Sequence, residues 1–235
     1  MYVQEKRSTI HLREKGATIM QEIRETETEQ LNPFISIWTK TRETVRYALE
    51  YKREKYFYFI ILIAGILALL PSVFDTTLGF EIPIIVAILL ALILGPILGF
   101  ISTMIGAGIY LLVGKLFKGK ATFNEMWKTI ALTQLVSIWM APLLLIGAFF
   151  TKGSYFSDPF ATTVSPTATA VDAIIGIFLL VLGIWSIIIS SKAIGEAHQF
   201  SSWKGFFTML IPGVIVFIIA VVIIVTLSFA MFGTF

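Results

Sequence analysis

The chain has 235 residues, 57% of them apolar and 14% charged, with no cysteine and a formal net charge of +3, whereas an ordinary soluble domain carries roughly 25% charged residues. Disulfides, thiol catalysis and Cys-ligated zinc are excluded, and a mean hydropathy of +0.86 defines an integral membrane protein with room for about five spans of ~20 residues. Charge is segregated: residues 1–55 hold 11 of the 18 Lys and Arg and 9 of the 15 Asp and Glu, so the net charge gives no reason to expect nucleic acid as a partner.

Residues 1–31 read as a polar cytoplasmic tail, since the mixed-charge "EIRETETEQ" has too little apolar periodicity to build a core. No cleavable signal peptide is visible. The first long apolar run begins near Tyr56 behind this charged tail and is expected to serve as its own signal anchor.

In residues 32–55, Phe34, Trp38, Val45 and Leu49 fall at spacings of 4, 7 and 4, which place them on one helical face. Lys40, Arg42, Arg46, Lys52, Arg53 and Lys55 crowd the flanks. The pattern predicts an amphipathic helix lying in the cytoplasmic interface, its stripe in the acyl boundary and its cations near anionic headgroups. A plain charged leader to the first span would not need that stripe.

Residues 56–235 form the transmembrane domain, with spans at about 56–74, 82–113, 129–150, 173–191 and 206–232. The second block has no ionisable residue from Ile82 to Gly114. A helix of that length is roughly 50 Å long against a hydrocarbon core of ~30 Å, so the block either kinks at Gly95-Pro96 and projects from the membrane or doubles back there. Charge placement decides. Five single passes put 17 of the 18 basic residues on the cytoplasmic side and only Lys152 outside, whereas doubling back puts 12 inside and 6 outside. The expected orientation is N-terminus in, C-terminus out. The stretch "TKGSYFSDPFATTVSPTATAVD" reads as an external loop, and there is no internal repeat of the kind that builds inverted-repeat transporters.

The span interiors hold no ionisable group, the usual mark of an ion-coupled transporter or intramembrane enzyme. Thr133, Ser137 and Ser186 read as glue between helices, while Ser102, Thr103 and Gln134 are the candidate polar lining should the second span border a passage. The two histidines, His11 and His198, form no zinc-protease pair, and no G-x-S-x-G elbow occurs. Glu196 and His198 supply two potential metal ligands without an evident third. No catalytic residue, metal or cofactor is therefore assigned. Gly95, Gly99, Gly106 and Gly108 with Pro96 are candidates for close helix packing or a kink, Gly95 and Gly99 standing in a G-x-x-x-G relation.

"NPFISIWTKTRETVRYALE" (32–50) resembles the motif that precedes the first span in the bacterial branch of the Yip family, whose eukaryotic members are known as Ypt/Rab-interacting factors. "LFKGKATFNEMWKTIALTQLVSIWMAPL" (116–143) is similar to that family's basic loop feeding a span, and "IGEAHQFSSWKGFFTMLIP" (194–212) to its loop before the last span. The resemblance implies a five-helix membrane domain with a cytoplasmic N-terminal region and, for the eukaryotic members, non-enzymatic work in vesicle traffic through small GTPases. The Asp-Leu-Tyr-Gly-Pro and Tyr-Gly-Tyr motifs of those members are missing, the latter replaced by Leu132, Thr133 and Gln134, and Thr41 stands where bacterial relatives often have Pro. A Rab-type GTPase is therefore not an expected partner.

The resulting expectation is an all-α membrane protein of five transmembrane helices preceded by a cytoplasmic amphipathic interfacial helix, in the cell membrane of a prokaryote. Its expected work is that of a membrane-organising or partner-binding scaffold, with lipids and a second copy or another membrane protein as partners. The alternative is a small channel, transporter or lipid-translocating protein built on the interrupted second span.

Overall fold

A computed structural model describes residues 15–16, 31–75, 84–150 and 166–232. Among these the regular structure is entirely helical. Each apolar block forms one long helix: α3 (Glu54–Asp75), α4 (Ile84–Leu116), α5 (Phe123–Phe150), α6 (Pro166–Ala197) and α7 (Ser202–Phe232). Two short helices, α1 (Pro33–Ser36) and α2 (Thr41–Tyr51), precede them. Among the described residues, three helices contain stretches long and apolar enough to cross a membrane: Ile88–Leu116, Ala173–Ala197 and Ser202–Ser228. The first half of α5 is diluted by Thr129, Thr133, Gln134 and Ser137. The tail over 1–31 and the external loop lie largely outside the described residues.

α4 is continuous for 33 residues with Pro96 inside it, so the chain does not double back at Gly95-Pro96. α3 packs along α4 through glycine. A Cβ on Gly65 would overlap the Gly95 carbonyl, one on Gly95 would lie 2.8 Å from the Gly65 carbonyl oxygen, and one on Gly99 would lie 3.0 Å from the Gly65 Cα. Without side chains the two backbones touch, which maximises dispersion contact where lipid supplies no hydrophobic drive. α5 leans on both α3 and α4, α6 on α5, and α7 returns beside α6 and α4.

The tightly packed core sits toward one end of the bundle, where α3 and α5 begin and α4 and α6 finish; this is termed the cap end below. Phe57, Ile60, Met126, Leu132, Val136, Ile189 and Ile194 meet there, joined by Ile37 and Val45 from the preceding segment. Trp127 lies edge-on to Phe57 and stacks on Tyr58, and Lys128 pairs with Glu54 at 3.2 Å. Away from the cap, α4, α6 and α7 expose Ile, Leu, Val and Phe over their length, and residues 213–228 of α7 are all exposed. Apolar surface on this scale fits hydrocarbon rather than water.

Two expectations for residues 32–55 are corrected. The single helix is two, separated at residues 37–40, where Trp38 and Thr39 bond back three residues to Ile35 and Ser36. The face carrying Val45 is turned toward protein: Thr41, Thr44, Val45, Tyr47 and Ala48 are buried, because α6 and α5 occupy the side assigned to acyl chains.

Candidate functional site

The polar residues of the cap form a latch. Arg42 and Arg46 stand four apart on α2 and so share one helical flank. Both reach Glu196 in the last turn of α6: Arg42 Nη1 donates to Oε2 at 3.1 Å, and Arg46 Nη2 and Nε donate to Oε1 at 2.7 and 2.9 Å. Arg42 Nη2 also donates to the Phe200 carbonyl at 2.9 Å and to Ser202 Oγ at 3.1 Å. The carboxylate is 13% exposed, the Arg42 side chain 36% and the Arg46 side chain 66%. Arg42 therefore ties α2 to α6, the following turn and the start of α7, while Arg46 is the solvated arm of the same contact.

Beneath the latch, the ends of α4 and α6 close in matching ways. Gly119 N–H returns to the Gly114 carbonyl and Lys118 N–H to Lys115; Phe200 N–H returns to Gly195 and Gln199 N–H to Glu196, all at 2.9–3.0 Å. These are Schellman motifs. Their left-handed positions hold Lys118 (φ 64°) and Gln199 (φ 56°) rather than glycine. The two turns are joined by Lys120 N–H to the His198 carbonyl at 3.1 Å. Glu125 and Thr122 then start α5 with a reciprocal capping box, Thr122 N–H to Glu125 Oε2 at 2.7 Å.

His198 is locked inside this junction. Its ring occupies the space that a Cβ on Gly114 or Gly119 would fill, and it stacks parallel to Phe200 at 5.1 Å. Nε2 lies 3.2 Å from the Tyr110 carbonyl, which only accepts, so Nε2 carries the proton. Among the described residues the buried Nδ1 has no hydrogen-bond partner. Burial pushes the imidazole below its ordinary pKa, the Tyr110 bond opposes this, nearby Lys115 lowers it further and Glu125 raises it. A neutral imidazole is the state that this enclosure favours.

A second set of contacts holds α1. Trp139 Nε1 donates to the Phe34 carbonyl at 3.0 Å with its ring 5.0 Å from that of Phe34, and Trp185 Nε1 donates to the Trp38 carbonyl at 3.2 Å. Asn32 caps α1 by accepting from Phe34 N–H at 3.1 Å, with Pro33 at the first helical position.

The residues singled out from sequence divide accordingly. Arg42 and Arg46, expected beside anionic headgroups, are engaged by Glu196; Val45 is in the core, Trp38 and Leu49 pack against it, and Lys40 and Phe34 are exposed. Gly95 and Gly99 lie on Gly65, whereas a Cβ on Gly106 would make only ordinary contact and one on Gly108 none. Gln134 Nε2 donates to Thr103 Oγ1 at 2.7 Å, and buried Thr103 in turn to the Gly99 carbonyl at 2.7 Å, so this pair stitches α5 to α4. Ser102 is exposed and bonds back to Gly99. Glu196 and His198 point to different partners and do not act together. Among the described residues no cluster of three or more His, Asp or Glu is placed to hold a metal ion. Sequence reasoning missed Trp139, Trp185 and the latching role of Glu196. The available signal for the last was one acidic residue in a loop opposite two arginines at helical spacing.

Long apolar helices, an outer surface of aliphatic side chains and a polar cap devoted to closing helix ends define a helical membrane protein. The Yip1 domain family matches residues 35–224, and the chain belongs to this family. No curated protein and no solved structure shows a significant match.

Proposed function

We propose that the chain is a non-enzymatic, multi-pass membrane scaffold of the Yip type, with five spans built on α3 to α7, its N-terminus and cap on the cytoplasmic side and its C-terminus outside. The observation that carries this reading is the latch: Arg42 and Arg46 on Glu196 hold α2 across α5 and α6, with His198 closing the turns beneath. Arg42, Arg46, Glu196 and His198 at the cap, and Thr103 with Gln134 between α4 and α5, hold helices together, as suits a scaffold that presents a fixed surface. The 17-to-1 split of basic residues supports the orientation. Exposed Lys40, Arg53, Lys55, Lys118 and Lys204 supply the charge that meets anionic headgroups or an acidic partner in the cytoplasmic membrane of a prokaryote.

Reconstitution separates this reading from permeation. Purified protein in liposomes is expected to cause neither ion leak nor exchange of labelled lipid between leaflets. Specific, saturable permeation of either kind sinks the scaffold reading. Because the chain has no native cysteine, single-Cys labelling from either side of sealed vesicles tests the orientation; labelling of Lys118→Cys only from the outer face of cells contradicts it.

A further inference from the structure

Residues 32–40 combine the single turn of α1 with an irregular stretch; Phe34, Ile35, Thr39 and Lys40 are exposed while Pro33 and Ile37 are buried, and most of the backbone is bonded within the protein. Every N–H from residue 34 to 40 has an acceptor, the first being Asn32 Oδ1 and the rest carbonyls of the segment itself. Every carbonyl from residue 32 to 38 has a donor as well. Where no backbone N–H is available a side chain steps in: Trp139 Nε1 for Phe34, Thr41 Oγ1 for Ile37 at 2.9 Å, and Trp185 Nε1 for Trp38. A loop in water has no need of this, since water satisfies such groups; in hydrocarbon every one must be met internally.

Depth points the same way. Trp185 stands twelve residues before the end of α6 at Ala197, which is roughly 18 Å along the helix axis. It lies inside Ala173–Ala197, one of the stretches long and apolar enough to cross a membrane. Trp139 stands sixteen residues into α5 from Phe123, roughly 24 Å from the same end of the bundle. Two helices running in opposite directions thus place α1 well below the cap. At that level the segment turns Ile35 outward, 64% exposed, with Phe34 beside it. Lys40 marks the return toward the cap, where its long stem lets the ammonium reach headgroup level.

We propose that residues 32–40 form a re-entrant segment seated in the acyl region of the leaflet on the cap side, with Ile35 and Phe34 in contact with phospholipid acyl chains. This goes beyond an interfacial helix: α1 occupies volume among the chains of one leaflet only. The inference rests on the reading that α6 crosses the bilayer.

Three single-Cys variants carrying a nitroxide, Ile35→Cys, Leu180→Cys on the exposed face of α6 and Glu50→Cys near the end of α2, test it in phosphatidylcholine–phosphatidylglycerol vesicles. The label at 35 is expected to relax with oxygen as strongly as that at 180 and to be shielded from a water-soluble nickel chelate, with the opposite behaviour at 50. Nickel access at 35 with oxygen-dominated relaxation at 180 overturns the re-entrant segment alone; nickel access at both overturns the α6 span with it. Adding Trp139→Phe and Trp185→Phe removes the two indole donors and is expected to raise label mobility and nickel access at 35. An unchanged spectrum refutes their role in holding the segment down.

Discussion

Replacing Glu196 with Gln keeps the shape of the side chain and removes the charge that both arginines share. Arg46 is two-thirds exposed, so its pair contributes only about 0.2–1 kcal/mol. Arg42 is partly buried against a carboxylate that is itself largely enclosed, and a hydrogen bond to a charged group contributes about 1.5–3 kcal/mol. Gln keeps one acceptor oxygen and turns a donor NH2 toward the other guanidinium, so one of the two contacts to Glu196 and the ion-pair attraction are lost, a net loss of about 1–2 kcal/mol. Because 1.4 kcal/mol is a factor of about ten, α2 is expected to open about ten times more often. Hydrogen exchange in nanodiscs reads this directly: amides of residues 45–49 exchange faster in Glu196→Gln, while those in the middle of α4 are unchanged. The single arginine variants rank the arms. Arg42→Gln costs more than Arg46→Gln, since it also loses the Phe200 carbonyl and Ser202. Unaltered exchange in Glu196→Gln, or a larger effect of Arg46→Gln, refutes the latch as described.

Gly65→Ala is expected to destabilise by about 1–3 kcal/mol through overpacking against the Gly95 carbonyl, whereas Gly108→Ala meets open space and gains roughly 0.5–1 kcal/mol of helix propensity; thermal unfolding in micelles compares them. For His198, the folded pKa lies below the ordinary value, so the unfolded chain binds the proton first. Its stabilising contribution is therefore full above about pH 6.5 and declines as pH falls below that value. The unfolding midpoint between about pH 7.5 and 5.5 should drop less steeply in His198→Gln than in the parent chain. For the Gln134–Thr103 bond, a double-mutant cycle with Leu and Val is expected to give a coupling of about 0.6 kcal/mol, the single changes costing more than the pair because each strands a polar group; zero coupling shows the bond to be incidental.

Glu196, His198 and Phe200 fall within five residues of one another, yet they bind α2, α4 and each other. Displacing Arg42 or Arg46 from Glu196 thus acts directly on the position of α2.

Local pattern determined most of the helices. Five apolar runs became α3 to α7 with ends within a few turns of expectation, because length and hydropathy are properties of each run alone. Gly95 with Gly99 announced close packing, since missing side chains are visible in sequence. The partner of that contact, Gly65, was not visible, because nothing local says which helix will lie alongside. The break at residues 37–40 contains no Gly or Pro and is held by Trp139, Trp185 and Arg42, whose contacts lie more than 100 residues away in the chain. The stripe through Val45 likewise reads the same whether it meets lipid or protein. Only the arrival of α5 and α6 beside it decides, because an apolar face specifies that it be kept from water and leaves its neighbour to the tertiary fold.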